Sequence, residues 1–334
     1  MTDSQLVSVV IPAYNASATL DETLRSVRSQ THSALEIIVV NDGSTDDTGA
    51  IARRHAAIDH RVKIVTQDNA GLAAARNTGW LSAQSDFIAF LDADDLWAPT
   101  KIERQIRALQ AGGPQVGLVY CWYLGIDSES NTTAVFDGAQ LEGQVLESIL
   151  AGNFVGNGSS VLVRRQALID ANGFDSGLRA AGAEGCEDWL VLCRVAERYR
   201  FAVVPEHLIG YRHLPNNMSS NRPRMLRSWI LAHDEMLARQ PKHRDSLKRG
   251  VRAYGGWLVR DALSVRGLRH LPPLLLLLLR CYPSIALTVL LKDIPSALIG
   301  KVRARLRGPH PGTSEPATAR SGRRFVIGNP DSCR

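Results

Sequence analysis

Four short apolar runs, each cut off by a polar turn, constrain this chain more than any other feature. They are residues 6–12 (Leu-Val-Ser-Val-Val-Ile-Pro), 35–40 (Leu-Glu-Ile-Ile-Val-Val), 62–65 (Val-Lys-Ile-Val) and 86–91 (Asp-Phe-Ile-Ala-Phe-Leu). Runs this short and this rich in branched residues fit strands buried on both faces of a parallel sheet. Helical stretches lie between them. Leu20, Leu24 and Val27 recur at helical spacing within 17–30, residues 46–57 and 71–83 are rich in Ala, and 99–111 opens on Pro99 and runs through Ile102, Ile106 and Leu109. Strand alternating with helix four times predicts an α/β fold: an open, mainly parallel sheet flanked by helices, with right-handed crossovers.

The following segment is more mixed. Strands are expected at Val116–Trp122, at Ser159–Val163 and over 201–204, with a helix over 187–199. Beyond about residue 224 the pattern becomes long helical segments. The chain therefore divides into a first half of the sheet domain (1–115), a second half of the same domain (116–223), a helical extension (224–307) and a tail rich in Gly, Pro, Ser and Arg (308–334), expected to be disordered.

The net charge of +6 is unevenly spread: residues 241–334 hold 18 Lys and Arg against 5 Asp and Glu, whereas residues 1–240 hold 21 against 28. A net-acidic body with a basic tail points to an anionic surface for the tail. The plainer reading is compositional, because Arg outnumbers Lys by 33 to 6. Within the extension, Leu274–Leu279 and Ile285–Leu291 are apolar, but Pro272, Pro273, Arg280, Pro283, Lys292, Asp293 and Pro295 interrupt them. No uninterrupted span reaches roughly 18 residues, so a membrane crossing is not expected. Two readings remain for residues 268–307, short helices lying in a membrane interface or a helical hairpin packed on the body. Nucleic acid is disfavoured as a partner, since the tail is leucine-rich and lacks interleaved aromatics. The five cysteines form no Cys-x-x-Cys pair, which fits reduced thiols in a reducing compartment. The N-terminus shows no secretory signal pattern. The expected location is the cytoplasm, with peripheral contact on the inner face of the membrane under the first reading of the tail.

Three polar loops follow three of the buried strands: Ala13-Tyr14-Asn15, Asn41-Asp42-Gly43-Ser44 and Asp92-Ala93-Asp94-Asp95. In an open parallel sheet all three emerge on one edge, where ligands bind. The three carboxylates Asp92, Asp94 and Asp95 repel one another and stay ionised together only if a cation or several N–H donors offset them. Mg²⁺ or Mn²⁺ takes one or two such carboxylates and completes its shell with diphosphate oxygens and water. Asp42 admits two readings, a turn residue or an acceptor for a donor on a nucleobase or ribose. Arg76, one turn into the helix opened by Gly71, pairs either with an anionic ligand or with the Asp cluster.

These loops resemble, in order, those of family 2 glycosyltransferases of the GT-A fold. The resemblance rests on Val7–Ala16, Asn41–Thr48, Asn69–Gly79, Asp86–Trp97, Gly173-Phe174-Asp175, Glu187-Asp188-Trp189 and Tyr211-Arg212, and covers roughly residues 6–215. It implies that residues 1–115 bind a nucleotide-sugar donor and that residues 116–223 bind the acceptor. It implies that Pro12 and Tyr14 line a nucleoside pocket, that Asp42 contacts the base (uracil in a UDP-sugar) and that Arg76 approaches the nucleotide. Asp92 and Asp94 match the acidic ends of the Asp-x-Asp motif, Asp94 as the leading metal ligand and Asp95 as an assistant. Asp188 matches the catalytic base, with Glu187 as its competitor. The implied reaction is inverting transfer of a sugar to a hydroxyl of a glycan or lipid-linked acceptor. His213 directly follows Tyr211-Arg212, where members often place a His one or two residues later, so its part is open between touching the diphosphate and packing. The extension beyond 224 has no counterpart in the resemblance. Two other classes stand beside this one. A sugar nucleotidyltransferase also uses metal-binding carboxylates on an α/β fold, but the loop Pro12-Ala13-Tyr14-Asn15 lacks the expected glycines and basic residue. A non-catalytic nucleotide-sugar-binding protein is the other.

Overall fold

The computed structural model describes residues 5–214, 217–263, 268–296, 299 and 322–328. The first half runs β1 (Val7–Ala13), α1 (Leu20–Arg28), β2 (Leu35–Asp42), α2 (Thr48–Ile58), β3 (Val62–Gln67), α3 (Leu72–Ser82) and β4 (Phe87–Phe90). Strands β1 to β4 pair in parallel in the order β3-β2-β1-β4. The reason for their unbroken apolar runs is visible in the packing. Val10, Ile38, Val40, Ile88 and Phe90 enter one core, while Val9, Ile11, Ile37, Val39 and Ala89 enter a second core on the opposite face. Successive residues point to opposite sides of a strand, so burial on both faces removes the polar alternation. α3 lies close on the sheet because Gly79 has no side chain; a Cβ there would come within 2.3 Å of Val10 Cγ1.

The second half runs β5 (Leu96–Trp97), α4 (Lys101–Ala111), β6 (Val116–Ile126), β7 (Thr132–Phe136), α5 (Leu146–Ala151), β8 (Leu162–Arg164), α6 (Arg165–Asp170), α7 (Gly177–Ala180), α8 (Glu187–Ala196) and β9 (Arg200–Arg212). It continues the same sheet through β8-β6-β9-β5, with β7 paired to β6. This half is mixed. β8 is antiparallel to both β4 and β6, β5 to β9 and β7 to β6, while β6 and β9 are parallel.

Two strands differ from expectation. The strand anticipated over 201–204 extends to Arg212, because the pairing jumps from Cys121↔Val204 to Trp122↔His207 and lets Pro205 and Glu206 bulge out. The strand anticipated at Ser159–Val163 begins only at Leu162, because Ser159 and Ser160 lie in a 3₁₀ turn, Gly158–Ser160.

The extension forms α9 (Arg222–Arg239), α10 (Arg244–Ala262), α11 (Leu271–Cys281) and α12 (Pro283–Thr288), the last running into a π turn at Val289–Asp293. Its first two helices are not a separate body: Trp229, Ala232, Met236, Leu247 and Val251 share the core that holds Trp189 and Leu190. Trp229 stacks between Trp189 and Tyr254 at 4.2 Å from each ring. Helices α11 and α12 and the π turn bury Leu274, Leu278, Ala286 and Val289 against Leu226, Ile230, Leu258 and Val259. Among the described residues, no helix is long and apolar enough to cross a membrane.

The expectation of a disordered tail over 308–334 does not hold for residues 322–328. Phe325 is buried with Leu96, Leu124 and Ile126, its N–H donates to Ser130 O at 2.7 Å, and Arg324 bridges to Asn131 and donates to Glu22. A short apolar run, Phe325-Val326-Ile327, in a tail otherwise rich in Gly, Pro, Ser and Arg found an apolar notch and an open strand edge. The rest of that tail, and residues 297, 298 and 300–307 of the stretch expected to meet a membrane, lie outside the described residues.

Candidate active site

The parallel strands β1, β2 and β4 deliver their following loops to one edge, as a parallel sheet must. Asn15 N donates to Ser44 Oγ at 3.1 Å and Thr45 N to Asn15 Oδ1 at 2.9 Å, which laces the first two loops together. Tyr14 stands at the mouth, 54% exposed, and Pro12 is buried behind it.

Asp42 ends β2 almost fully buried. Its Oδ1 accepts from Gln67 Nε2 at 2.7 Å and Ala70 N at 2.8 Å, and its Oδ2 accepts from Gly71 N at 2.9 Å. The carboxylate therefore fastens the start of α3. A base could use only lone pairs these donors leave free.

α3 carries Arg76 inward. Its guanidinium is fully buried and donates through Nη2 to Asp92 Oδ1 at 2.7 Å and through Nη1 to Glu187 Oε1 at 3.3 Å. Phe174 lies under it with the ring centroid 5.3 Å from Cζ. Asn77, one residue on, accepts from Phe174 N and donates to Phe174 O, which pins that ring in place. Gly158 lies against the same guanidinium; a Cβ there would stand 2.8 Å from Nη2. With Asp92, Glu187 and Asp188 around it, the guanidinium holds its proton more tightly than a free Arg.

The loop Asp92-Ala93-Asp94-Asp95 separates its three carboxylates by role. Asp95 is buried, accepting from Ser159 Oγ at 2.6 Å and from the Arg212 backbone N–H at 2.9 Å. Burial and its two acidic neighbours raise its pKa. Ser159 also accepts from Asp92 N. The Arg212 guanidinium is consumed on the same scaffold, bonding Asp94 O at 2.7 Å, Asp127 O at 2.9 Å and Glu22 Oε2 at 2.9 Å. Asp94 differs. Among the described residues its carboxylate accepts only from its own backbone N–H, and burial with the neighbouring charge of Asp92 pushes it up to about 6. Sequence reading missed Ser159 and Glu22. A Ser in a Gly-Ser-Ser turn and an acid in an amphipathic helix carry no local sign of such work.

The expected metal trio does not form a ready cage, since among the described residues no group of three or more His, Cys, Asp or Glu is arranged to hold an ion. The donor chemistry fits an ion at Asp92 and Asp94, which keep free carboxylate oxygens and excess negative charge. It does not fit at Asp95, whose oxygens both face protein donors.

Glu187 and Asp188 open α8. Glu187 is buried, with Oε1 on Arg76 and Oε2 accepting from Gly185 N at 2.8 Å. Asp188 accepts from Trp189 N at 2.7 Å and is raised to about 7, first by burial and then by the charge of Glu187, with Arg76 opposing. Trp189 anchors the helix through Nε1 to Ile149 O at 2.8 Å. Cys186, at the cap of α8, donates its N–H to Ser228 Oγ of α9 at 3.1 Å, so the extension braces this end of the site. His213 is exposed, its ring edge-on to Tyr211 at 5.0 Å.

The profile of the glycosyl transferase family 2 matches residues 8–169. A Nostoc sp. strain PCC 7120 protein named as an uncharacterized glycosyltransferase, alr2836, is 32% identical over 224 residues, covering 64% of this chain and 67% of the relative. The chain spans 52% and 63% of the length of two other curated relatives, the Bacillus subtilis glycosyltransferases EpsH and EpsJ. The fold is similar to S. aureus TarS 1–349 solved with UDP-GlcNAc, with a TM-score of 0.61, 13% identity, and coverage of 92% of this chain and 93% of that one. It is also similar to the mannosyltransferase PcManGT from Pyrobaculum calidifontis solved with GDP-Man and Mn²⁺, with a TM-score of 0.56, 19% identity, and coverage of 90% and 79%. Matching profile, matching relative and matching GT-A architecture agree on one assignment: the chain belongs to the family 2 glycosyltransferases.

Proposed function

We propose that this enzyme transfers a sugar, with inversion, from a UDP-sugar to a hydroxyl of a glycan or lipid-linked acceptor, with Asp188 as general base. The observation that carries this is the buried Arg76, which gathers Asp92 from the end of β4 and Glu187 from the start of α8 into one cluster beside Asp188. Residues 1–115 supply the donor side: Pro12 and Tyr14 frame the nucleoside, and Asp42 holds the pocket wall through the Gly71 loop. Residues 116–223, braced by α9, supply the acceptor side. Asp92 and Asp94 are the residues to hold Mg²⁺ or Mn²⁺. Such an ion, when bound, neutralises charge developing on a diphosphate leaving group. The PcManGT complex with Mn²⁺ and GDP-Man supports this choice of cofactor, and the TarS complex with UDP-GlcNAc supports a UDP-sugar.

In the transfer, the acceptor oxygen forms a bond to the anomeric carbon from the face opposite the diphosphate. The bond from that carbon to the diphosphate oxygen breaks, and the diphosphate leaves with the electron pair. The acceptor proton passes to Asp188. Glu187 is unsuited to this task because both its oxygens already accept N–H bonds. Nucleotide release from a panel of UDP-sugars, with Mn²⁺ or Mg²⁺, tests the assignment. Mixing with each UDP-sugar should give heat in calorimetry that an Asp94→Asn variant loses. Absence of binding to every UDP-sugar tried, with either ion, would overturn the donor assignment.

The same reading places the enzyme on the inner face of a membrane through the extension. Support comes from Leu276 and Leu291, 68% and 67% exposed, and from Leu279 and Leu287, all turned away from the buried seam of α11 and α12. An apolar face with Arg280 and Lys292 alongside suits an anionic bilayer surface. The chain is expected to co-sediment with vesicles containing phosphatidylglycerol. Changing all four leucines to Ser should weaken this by at least about tenfold, given the apolar area withdrawn. Unchanged sedimentation of that variant rejects the membrane role.

A further inference from the structure

Aromatic residues make up 6% of the chain, yet four rings meet at one end of β6, β7 and β9. Tyr123 stacks on Phe136 with centroids 4.7 Å apart and meets Tyr211 edge-on at 5.8 Å. His213 touches both Tyr211 and Phe136. This is not a sealed core: Phe136 is 37% exposed, His213 is exposed, and Tyr123 and Tyr211 are half-buried. Two glycines make room for it. A Cβ on Gly125 would stand 3.2 Å from the Phe136 ring, and a Cβ on Gly156 would stand 2.6 Å from the Tyr123 ring.

The second observation is Asn157. Its side chain is buried, and neither its Nδ2 nor its Oδ1 has a hydrogen-bond partner among the described residues. A buried amide is seldom left so, because losing water without a replacement partner is costly. Its position is informative. The preceding Gly156 lies against Tyr123, and the following Gly158 lies against Arg76. Ser159, two residues on, holds the loop of Asp92 and Asp95. The unpartnered amide thus belongs to the short loop that joins the ring cluster to the Arg76 and Asp188 cluster.

We infer that this surface is the acceptor subsite and that it takes a pyranose ring. The C–H face of the sugar lies on the exposed ring of Phe136, which Tyr123 backs and Tyr211 and His213 border, and a sugar hydroxyl takes up the donor and acceptor of Asn157. Sugars pair apolar C–H faces with hydroxyl rims, and an exposed ring with an unpartnered, buried amide on the adjoining loop matches both halves of that chemistry. The inference rests on the glycosyltransferase reading and adds to it the class of acceptor and the residues that select it.

The test uses the full chain with UDP and Mn²⁺ present, and a panel of methyl pyranosides and disaccharides as probes in saturation-transfer NMR. UDP affinity is measured in parallel by calorimetry. Phe136→Leu keeps an apolar side chain of similar size but removes the ring face, so it separates stacking from folding. At least one probe should bind the native chain. Phe136→Leu and Asn157→Ala should each weaken that probe by about fivefold or more, with UDP affinity kept within about twofold. Equal saccharide binding in native and variant chains overturns the inference, as does intact UDP binding with no saccharide bound. Loss of UDP binding in the native chain defeats the donor reading itself, and the inference with it.

Discussion

Changing Asp188 to Asn should lower turnover by about 10²- to 10⁴-fold while leaving UDP affinity nearly unchanged, the range that removal of a positioned general base produces. The substitution keeps shape and removes only the ability to take a proton. Its charge state in the native chain gives a second, independent readout. Burial and the Glu187 charge lift Asp188 to about 7, far above an ordinary Asp. A base works only when deprotonated, so the rate should climb with pH through about 7 and level off above it. Glu187→Gln removes a neighbouring negative charge, so it should move that climb to lower pH. Were Glu187 itself the base, the same variant would be inactive at every pH. A pH profile of kcat/KM for the native chain, Asp188→Asn and Glu187→Gln separates the two carboxylates, and an Asp188→Asn variant of native activity would remove Asp188 from the mechanism.

The division of labour among the acids shows what the sequence could and could not convey. The strands and their loops were legible because residues such as Val9 and Val10 go to different cores, which leaves an unmistakable apolar run. The convergence of those loops followed from parallel pairing alone. The roles of individual carboxylates did not follow, because aspartates look alike until their N–H donors are known. Asp42 and Asp95 turned out to face protein donors, from Gly71 and its neighbours in one case and from Ser159 and Arg212 in the other. Asp94 is the one left short of them. β7 escaped notice because Thr132–Phe136 is an outer strand with half-exposed residues and little apolar pattern. The docked segment around Phe325 escaped because its arginines and glycines set its character, although the run Phe325-Val326-Ile327 was a signal that a strand edge could use it.

Distance along the chain hid the most consequential contact, since Arg76 and Glu187 are separated by 111 positions. Arg76→Met should test how much of the molecule depends on it. The fully buried guanidinium answers Asp92 and Glu187 by direct bonds and Asp188 through space. Deleting one partner of a buried ion cluster leaves the others unpaired, a loss of about 3–5 kcal/mol. Urea unfolding should show that deficit at neutral pH. The sign of its pH dependence follows from Asp188, which Arg76 pulls down. Without Arg76 that carboxyl should titrate above about 7, so its charge, and the penalty it adds, should fade as the medium becomes acidic. Adding Glu187→Gln to Arg76→Met removes one of the stranded charges and should restore about 1–2 kcal/mol, a coupling that a double-mutant cycle reads directly. Activity should stay lost in the double variant, because α8 no longer has the tie that sets Asp188 against the end of β4. An Arg76→Met chain that unfolds within about 1 kcal/mol of the native one would mean that water, and not the guanidinium, balances these acids.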